Sequence, residues 1–242
     1  MNVTGWRRWA ATAVSKDGTT IVGYGTDPSG YFQAWIAHVP ASSLRVSTHD
    51  FNGDGKSDIL WRHSDGTAAI WLMNGTTSIG GGSLGTVPTS WSIVGQRDFN
   101  GDGTSDILWR DTSGNVAIWF MNGATSSGGA SLGVVPMNWS IVGTGDFDGD
   151  GKSDILWRDT SGNVAIWLMN GATSIGGGSL GVVPTSWSIV GTGDFNGDGK
   201  SDILWRDTSG NTAVWFMNGA TPTGASLGVV STDWTIQGLN AD

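Results

Sequence analysis

The segment beginning at Asp50 recurs at Asp98, Asp146 and Asp194, a period of 48 residues in a chain of 242. In consensus the unit reads DFNGDGKSDILWRDTSGNVAIWLMNGATSIGGGSLGVVPTSWSIVGTG. A unit of this size cannot bury its apolar face alone, so successive copies must stack on one another. Each copy holds four short strand signals separated by turn signals, the pattern of one β-propeller blade. In the copy starting at Trp139 the strands are predicted at 139–143, 154–158, 164–169 and 179–183. The run 159–163 reads as a hairpin loop with Gly162 at positive φ, and Asn170-Gly171 reads as a two-residue type I′ turn. Ile155-Leu156-Trp157 and 165–168 are apolar without alternation, which predicts cover on both faces.

Forty glycines and fifteen tryptophans suit tight turns and pleated surfaces, and no helix is predicted. The divergent N-terminal part shows three strands, near 10–15, 19–24 and 32–38. The chain ends on a fifth copy of the unit's first strand, 234–238. The expectation is a single all-β domain, a five-bladed β-propeller of four-stranded antiparallel blades, closed where the C-terminal strand joins the three N-terminal ones. The blades are 1–42 with 234–242, then 43–90, 91–138, 139–186 and 187–233.

The four copies resemble FG-GAP/VCBS repeats, as in the integrin α-subunit propeller and many bacterial surface proteins, over 43–238. The N-terminal AVSKDGTTIVGYGTDPSGYFQAWIA is similar to the HAF type of bacterial extracellular repeat. Five blades of this length are also similar, in size and architecture alone, to the tachylectin type of lectin.

The strongest motif is D-x-[DN]-x-D-G-x-x-D, present four times. All 21 acidic residues are Asp, and thirteen of them fall in these loops. Alternate residues of a tight loop turn their oxygens inward, and Ca²⁺ takes six to eight oxygens at about 2.3–2.6 Å. The candidate ligands are Asp50, Asn52, Asp54 and Asp58; Asp98, Asn100, Asp102 and Asp106; Asp146, Asp148, Asp150 and Asp154; and Asp194, Asn196, Asp198 and Asp202. A backbone carbonyl of Lys56, Thr104, Lys152 or Lys200 completes each set, with the preceding glycine permitting the bend. Crowded carboxylates without a cation would repel one another, and Mg²⁺ demands a stricter octahedron, so about four Ca²⁺ are expected as staples of a cysteine-free fold. The motif is not an EF-hand loop: it lacks the twelfth-position Glu and flanking helices.

Among the tryptophans, Trp157 and Trp167 sit in apolar strands and read as core. Trp91, Trp139, Trp187 and Trp234 follow polar loops, and the first three are candidate platforms for stacking on a sugar ring. Arg62, Arg110, Arg158 and Arg206 each end a second strand. A guanidinium there can reach a ligand, or lie against a neighbouring Asp such as Asp111, Asp159 or Asp207. The G-x-S-x-G matches at Ser83, Ser131, Ser179 and Ser226 lack the following helix of a nucleophile elbow. No catalytic residue is assigned. His38, His49 and His63 are the unrepeated polar groups and the only candidates for enzymatic chemistry, as in a polysaccharide lyase or hydrolase.

A net charge of −9 disfavours a phosphate backbone, so nucleic acid is not an expected partner. No stretch of about eighteen apolar residues exists to span a membrane, and the N-terminus lacks the run of a signal peptide, which reads either as a trimmed chain or as a piece of a longer secreted one. The expected function is a calcium-stabilised extracellular module, secreted or on a bacterial cell surface, that binds carbohydrate at several similar sites. The alternatives are protein–protein adhesion and a structural repeat.

Overall fold

The computed structural model describes residues 7–14, 20–38 and 48–237. It divides into two compact units, Met1–Arg45 and Val46–Asp242. The first is an antiparallel meander of β1 (Arg7–Val14), β2 (Thr20–Thr26) and β3 (Phe32–His38). Its β2–β3 turn is wound around Asp27, whose Oδ1 accepts the N–H groups of Ser29 and Tyr31, both at 2.9 Å. Side chains of this type compete with the strand ladder for backbone donors and so end strands.

The second unit repeats one antiparallel sheet. β4 (Ile59–Arg62), β5 (Thr67–Asn74) and β6 (Thr77–Thr86) form a three-stranded sheet. Three four-stranded sheets follow, each in chain order. They are β7 (Trp91–Arg97) to β10 (Thr125–Val134), with β8 (Asp106–Asp111) and β9 (Asn115–Asn122); β11 (Trp139–Gly145) to β14 (Thr173–Val182), with β12 (Asp154–Asp159) and β13 (Asn163–Asn170); and β15 (Trp187–Gly193) to β18 (Thr221–Val229), with β16 (Asp202–Asp207) and β17 (Asn211–Asn218). No helix occurs among the described residues. The four sheets of the second unit have the form of β-propeller blades. The positions of the β4–β6 sheet's predicted first strand, 43–49 by the 48-residue period, lie mostly outside the described residues. At the other end 234–237 carries no strand, and 238–242, the rest of the predicted closing strand, lies outside them.

Two local predictions shift. Asn170 pairs with Thr173, so the turn residues are Gly171 and Ala172, and only Gly171 has positive φ (63°). That is the type II′ pattern, with glycine first, rather than I′. The fourth strand starts at Thr173 and not at 179, because glycines without an apolar pattern can still pair. Gly177, at φ 113°, lies so close to Leu168's sheet neighbours that a Cβ would come 2.1 Å from the Ile166 carbonyl oxygen. Only glycine fits there.

Strand alternation distributes the core. On β12, Ile155 and Trp157 pack against Phe99, Val116 and Ile118 of the preceding repeat. Leu156 points the other way, against Ile203 and Trp205 of the following one. Period two thus converts one apolar triplet into two interfaces, as its lack of polar alternation predicted. Trp109, Trp157 and Trp205 are each 1 % exposed, whereas Trp61, with no preceding sheet in its unit, is 45 % exposed. The indole N–H of the three buried tryptophans meets no acceptor, a cost of about 1–3 kcal/mol each. Each stacks at a tilt on its β-neighbour Trp119, Trp167 or Trp215, with centroids 4.9–5.2 Å apart. A guanidinium from the preceding repeat also lies 5.2–5.4 Å from each ring centre. The ring pair, about 0.5–1.5 kcal/mol, and a desolvated cation–π contact, about 2 kcal/mol, are enough to offset that loss.

Candidate metal loops

In the three four-stranded sheets the acidic loop lies between the first and second strands, where the spacing predicted it, and the first loop, 50–58, directly precedes β4. In the third repeat the loop is wound on its first residue. Asp146 Oδ1 accepts the N–H of Gly149 at 2.6 Å and of Asp150 at 3.1 Å, while Oδ2 accepts Gly151 N–H at 2.8 Å. Asp148 Oδ1 accepts Asp150 N–H at 3.1 Å, and Asp150 Oδ1 accepts Lys152 N–H at 2.8 Å. The same winding recurs around Asp50, Asp98 and Asp194. Asn52, Asn100 and Asn196 stand where Asp148 does, each accepting the N–H two residues on. The ammonium groups of Lys56 and Lys152 each lie 3.0 Å from the adjacent Asp54 or Asp150.

The ninth residue has a second task that the motif alone did not disclose. Both oxygens of Asp154 accept backbone N–H groups, from Phe147 at 2.9 Å and Met169 at 2.8 Å. Asp58, Asp106 and Asp202 do the same for Phe51 and Met73, Phe99 and Met121, and Phe195 and Met217. Asp106, Asp154 and Asp202 are fully buried. The ninth carboxylate therefore ties the loop to the third strand of its own sheet, and each oxygen keeps a further lone pair. The exact recurrence of Met fifteen residues after it, in every copy, was the available sequence signal.

Burial without a countercharge shows in the protonation equilibria. Desolvation pushes Asp106 and Asp154 up to about 7, and Asp146 up to about 6, against the opposing pull of their backbone hydrogen bonds. Asp98 and Asp202 are raised for the same reason, and neighbouring loop carboxylates add to every one of these shifts. Carboxylate oxygens of Asp146, Asp148 and Asp154 all lie within 4.8 Å of one another. Two oxygens on opposite sides of a cation bound at about 2.3–2.6 Å would be about 5 Å apart. The donor set therefore fits one oxygen-seeking cation.

The arginines neither pair with the adjacent Asp nor point away from the sheet. Arg110 Nη1 donates to the Trp139 carbonyl at 2.5 Å, and Nη2 to those of Val135 at 3.3 Å and Pro136 at 3.2 Å. Arg62, Arg158 and Arg206 repeat this clip on the loops leading to Trp91, Trp187 and Trp234. A planar fork suits converging carbonyls, which explains why the hairpin Asp is left to other partners. Asp111, Asp159 and Asp207 instead accept the N–H groups of Ser113 and Asn115, Ser161 and Asn163, and Ser209 and Asn211.

Trp91, Trp139 and Trp187 are partly buried and pack against the clusters between successive sheets, each beside an exposed loop. Trp234 is 70 % exposed. Strand β4 separates His49 from His63, which sit before and after it. At about 3.3 Å per residue they are over 13 Å apart along the strand. His63 Nδ1 lies 2.9 Å from Asp65 Oδ1. His49, the single non-glycine residue of positive φ among those described (66°), lines a cavity of about 320 Å³ with Gln96 and Arg97. His38 ends β3. Ser83 and Ser131 make contacts within their own sheets, to the carbonyls of Ala68 and Val116.

The FG-GAP-like repeat family matches 98–157 and again 146–205, and the FG-GAP repeat family matches 186–226. No curated protein matches the chain in sequence. Similar solved structures include a post-proline cleaving enzyme from Rickettsia typhi, at 10 % identity and a TM-score of 0.41 over 92 % of this chain and 38 % of that one. The WD40 domain of SCAP from fission yeast is similar at 12 % identity and a TM-score of 0.42, over 95 % of this chain and 55 % of that one. A mutant of AofleA from Arthrobotrys oligospora is similar at 11 % identity and 0.36, over 90 % and 70 %. This chain thus spans 38 % and 55 % of the length of the first two. No helix is long and apolar enough to cross a membrane. The two repeat families together cover 98–226, more than half of the chain, on sheets of one recurring design, and the protein belongs to the FG-GAP repeat family of β-propellers.

Proposed function

We propose that the protein is a calcium-stabilised extracellular binding module, secreted or held at a cell surface. The observation that carries this reading is the set of four backbone-wound carboxylate loops, in the second and third of which desolvation without a countercharge raises Asp106, Asp146 and Asp154. Bound Ca²⁺ would supply the missing positive charge. Asp146, Asp148, Asp150, Asp154 and the Lys152 carbonyl would hold it in the third loop, with their counterparts in the other three. The residues' own part is to fold the loop around the first Asp and to anchor it to the sheet through the ninth. If each site has a dissociation constant one hundredth of the ambient calcium, each contributes about 2.7 kcal/mol to stability. Melting curves with calcium and with a chelator test this, and an unchanged midpoint would remove the reading.

The proposed ligand is carbohydrate, bound at equivalent places on several sheets. What supports it is the recurrence of a part-exposed indole beside an exposed loop at Trp91, Trp139 and Trp187. Similar weak sites on one rigid frame gain through avidity. Calorimetric titration with oligosaccharides checks the stoichiometry: several equal sites support the reading, and a single site overturns the multivalent form of it.

A further inference from the structure

We infer that the four calcium loops are coupled, so that an ion in one loop raises the affinity of the next. The inference rests on the calcium reading above and adds how its sites communicate.

Each loop is joined to the following one by main-chain hydrogen bonds. The carbonyl of Asp50, first residue of the first loop, accepts the N–H of Ser105 at 2.6 Å. Ser105 directly precedes Asp106, ninth residue of the second loop. Asp98 accepts Ser153 N–H at 2.7 Å, and Asp146 accepts Ser201 N–H at 2.6 Å, in the same relation to Asp154 and Asp202. A second bond runs in parallel: the carbonyls of Phe51, Phe99 and Phe147 accept Gly123, Gly171 and Gly219 N–H at 2.6, 2.8 and 2.9 Å. Those glycines lie two residues beyond Met121, Met169 and Met217, whose N–H groups are held by the ninth carboxylates.

The loops also touch. The stem of Lys152 lies against Gly101 of the preceding loop, and that of Lys200 against Gly149, so that a Cβ on either glycine would come within 3.3 Å of it. Lys152 and Lys200 are the residues whose carbonyls are candidate ligands. One short stretch, Asp-Phe, therefore both winds its own loop and anchors the ninth ligand of the next. Fixing that stretch with an ion removes motion that the next loop would otherwise have to lose on binding. Linkage makes the effect reciprocal.

Hydrogen-exchange mass spectrometry of the 242-residue chain, titrated with calcium, follows each loop separately in peptides that extend past the loop, because the first and fourth loops share the sequence DFNGDGKSDILWR and differ only in flanking residues such as His49 against Gly193 and His63 against Asp207. In the unmodified chain, protection should rise steeply and together in all four loops. Asp102→Ala removes one exposed candidate ligand from the second loop. It should raise the calcium midpoint of the untouched first and third loops by about tenfold, inside the usual range of coupling. Asp198→Ala in the last loop is the companion variant, read at the third loop, should Asp102→Ala fold poorly. Unchanged neighbour midpoints in a folded variant overturn the coupling alone. If no loop of the unmodified chain gains protection with calcium, the calcium reading itself falls, and the coupling with it.

Discussion

The guanidinium carbon of Arg110 sits 5.4 Å from the centre of the Trp157 ring, although the two residues belong to different sheets. The same group reaches the carbonyls of Val135, Pro136 and Trp139 in the link between those sheets. One side chain thus clips the link and caps the buried indole of the next repeat. Burial lowers the Arg110 pKa, with Asp111 opposing, yet a guanidinium stays charged throughout the accessible pH range.

Arg110→Lys should therefore destabilise the protein by about 1–3 kcal/mol, because the one nitrogen of an ammonium cannot take the two positions from which Nη1 and Nη2 reach the Trp139, Val135 and Pro136 carbonyls, and it lacks a planar face to lay on the Trp157 ring. Arg206→Lys should cost less. Arg206 keeps the carbonyl clip, but its hydrogen bonds are exposed. Chemical denaturation of both variants, in calcium, checks the order, and equal losses would contradict the role given to Trp157.

Asp154 and Asp148 separate anchoring from charge. Under metal-free, mildly acidic conditions, Asp154→Asn should cost about 1–3 kcal/mol, since an amide NH₂ would face one of the two N–H groups now accepted by the carboxylate. Asp148→Asn should leave metal-free stability unchanged, because Asn already occupies the equivalent positions 52, 100 and 196. In calcium at neutral pH it should weaken the third loop towards the other three. Melting curves in the two conditions test this, and matched behaviour of the two variants would merge roles that the geometry keeps apart.

The architecture was legible because its causes are local and repeated. Asp50, Asp98, Asp146 and Asp194 mark the period, and Ile155-Leu156-Trp157 announces its two-sided burial by lacking a polar member. In the three four-stranded sheets the acidic loops lie where their spacing put them, between first and second strands. What the sequence hid were contacts whose partners have no side-chain signature. Arg110 binds carbonyls 25–29 residues away, and any residue can offer a carbonyl. Asp154 reads only as a ligand because its partners are the backbone N–H groups of Phe147 and Met169, which any residue can offer, and the recurring Met is the one trace of them. The early start of β14 was missed for a related reason: Gly176, Gly177 and Gly178 carry no apolar pattern, yet pair with Leu168, Trp167 and Ile166.

Acidity should act in opposite directions on the metal-free and calcium-loaded protein. Asp106 and Asp154, at about 7, and Asp146, at about 6, stand above their ordinary value of 3.8 mainly through desolvation. A group raised on folding stabilises the folded state fully below its unfolded pKa, and that contribution is lost as pH rises through the folded one. The metal-free protein should accordingly be more stable at pH 5 than at pH 8, with the loss steepest below about pH 6, where all three carboxylates contribute, smaller between about 6 and 7, and level above that. Calcium requires the charged carboxylates and must displace whatever protons they hold. In the third loop, one proton competes between about pH 6 and 7, and two compete below about 6, where Asp146 joins Asp154. Its affinity should fall by up to about tenfold per pH unit in the first range and up to about a hundredfold in the second. Paired melting and calcium-binding measurements from pH 5 to 8 check both signs. A metal-free protein that gains stability on going from pH 5 to 8 would mean that these carboxylates are not held in the buried, uncompensated state from which the calcium reading starts.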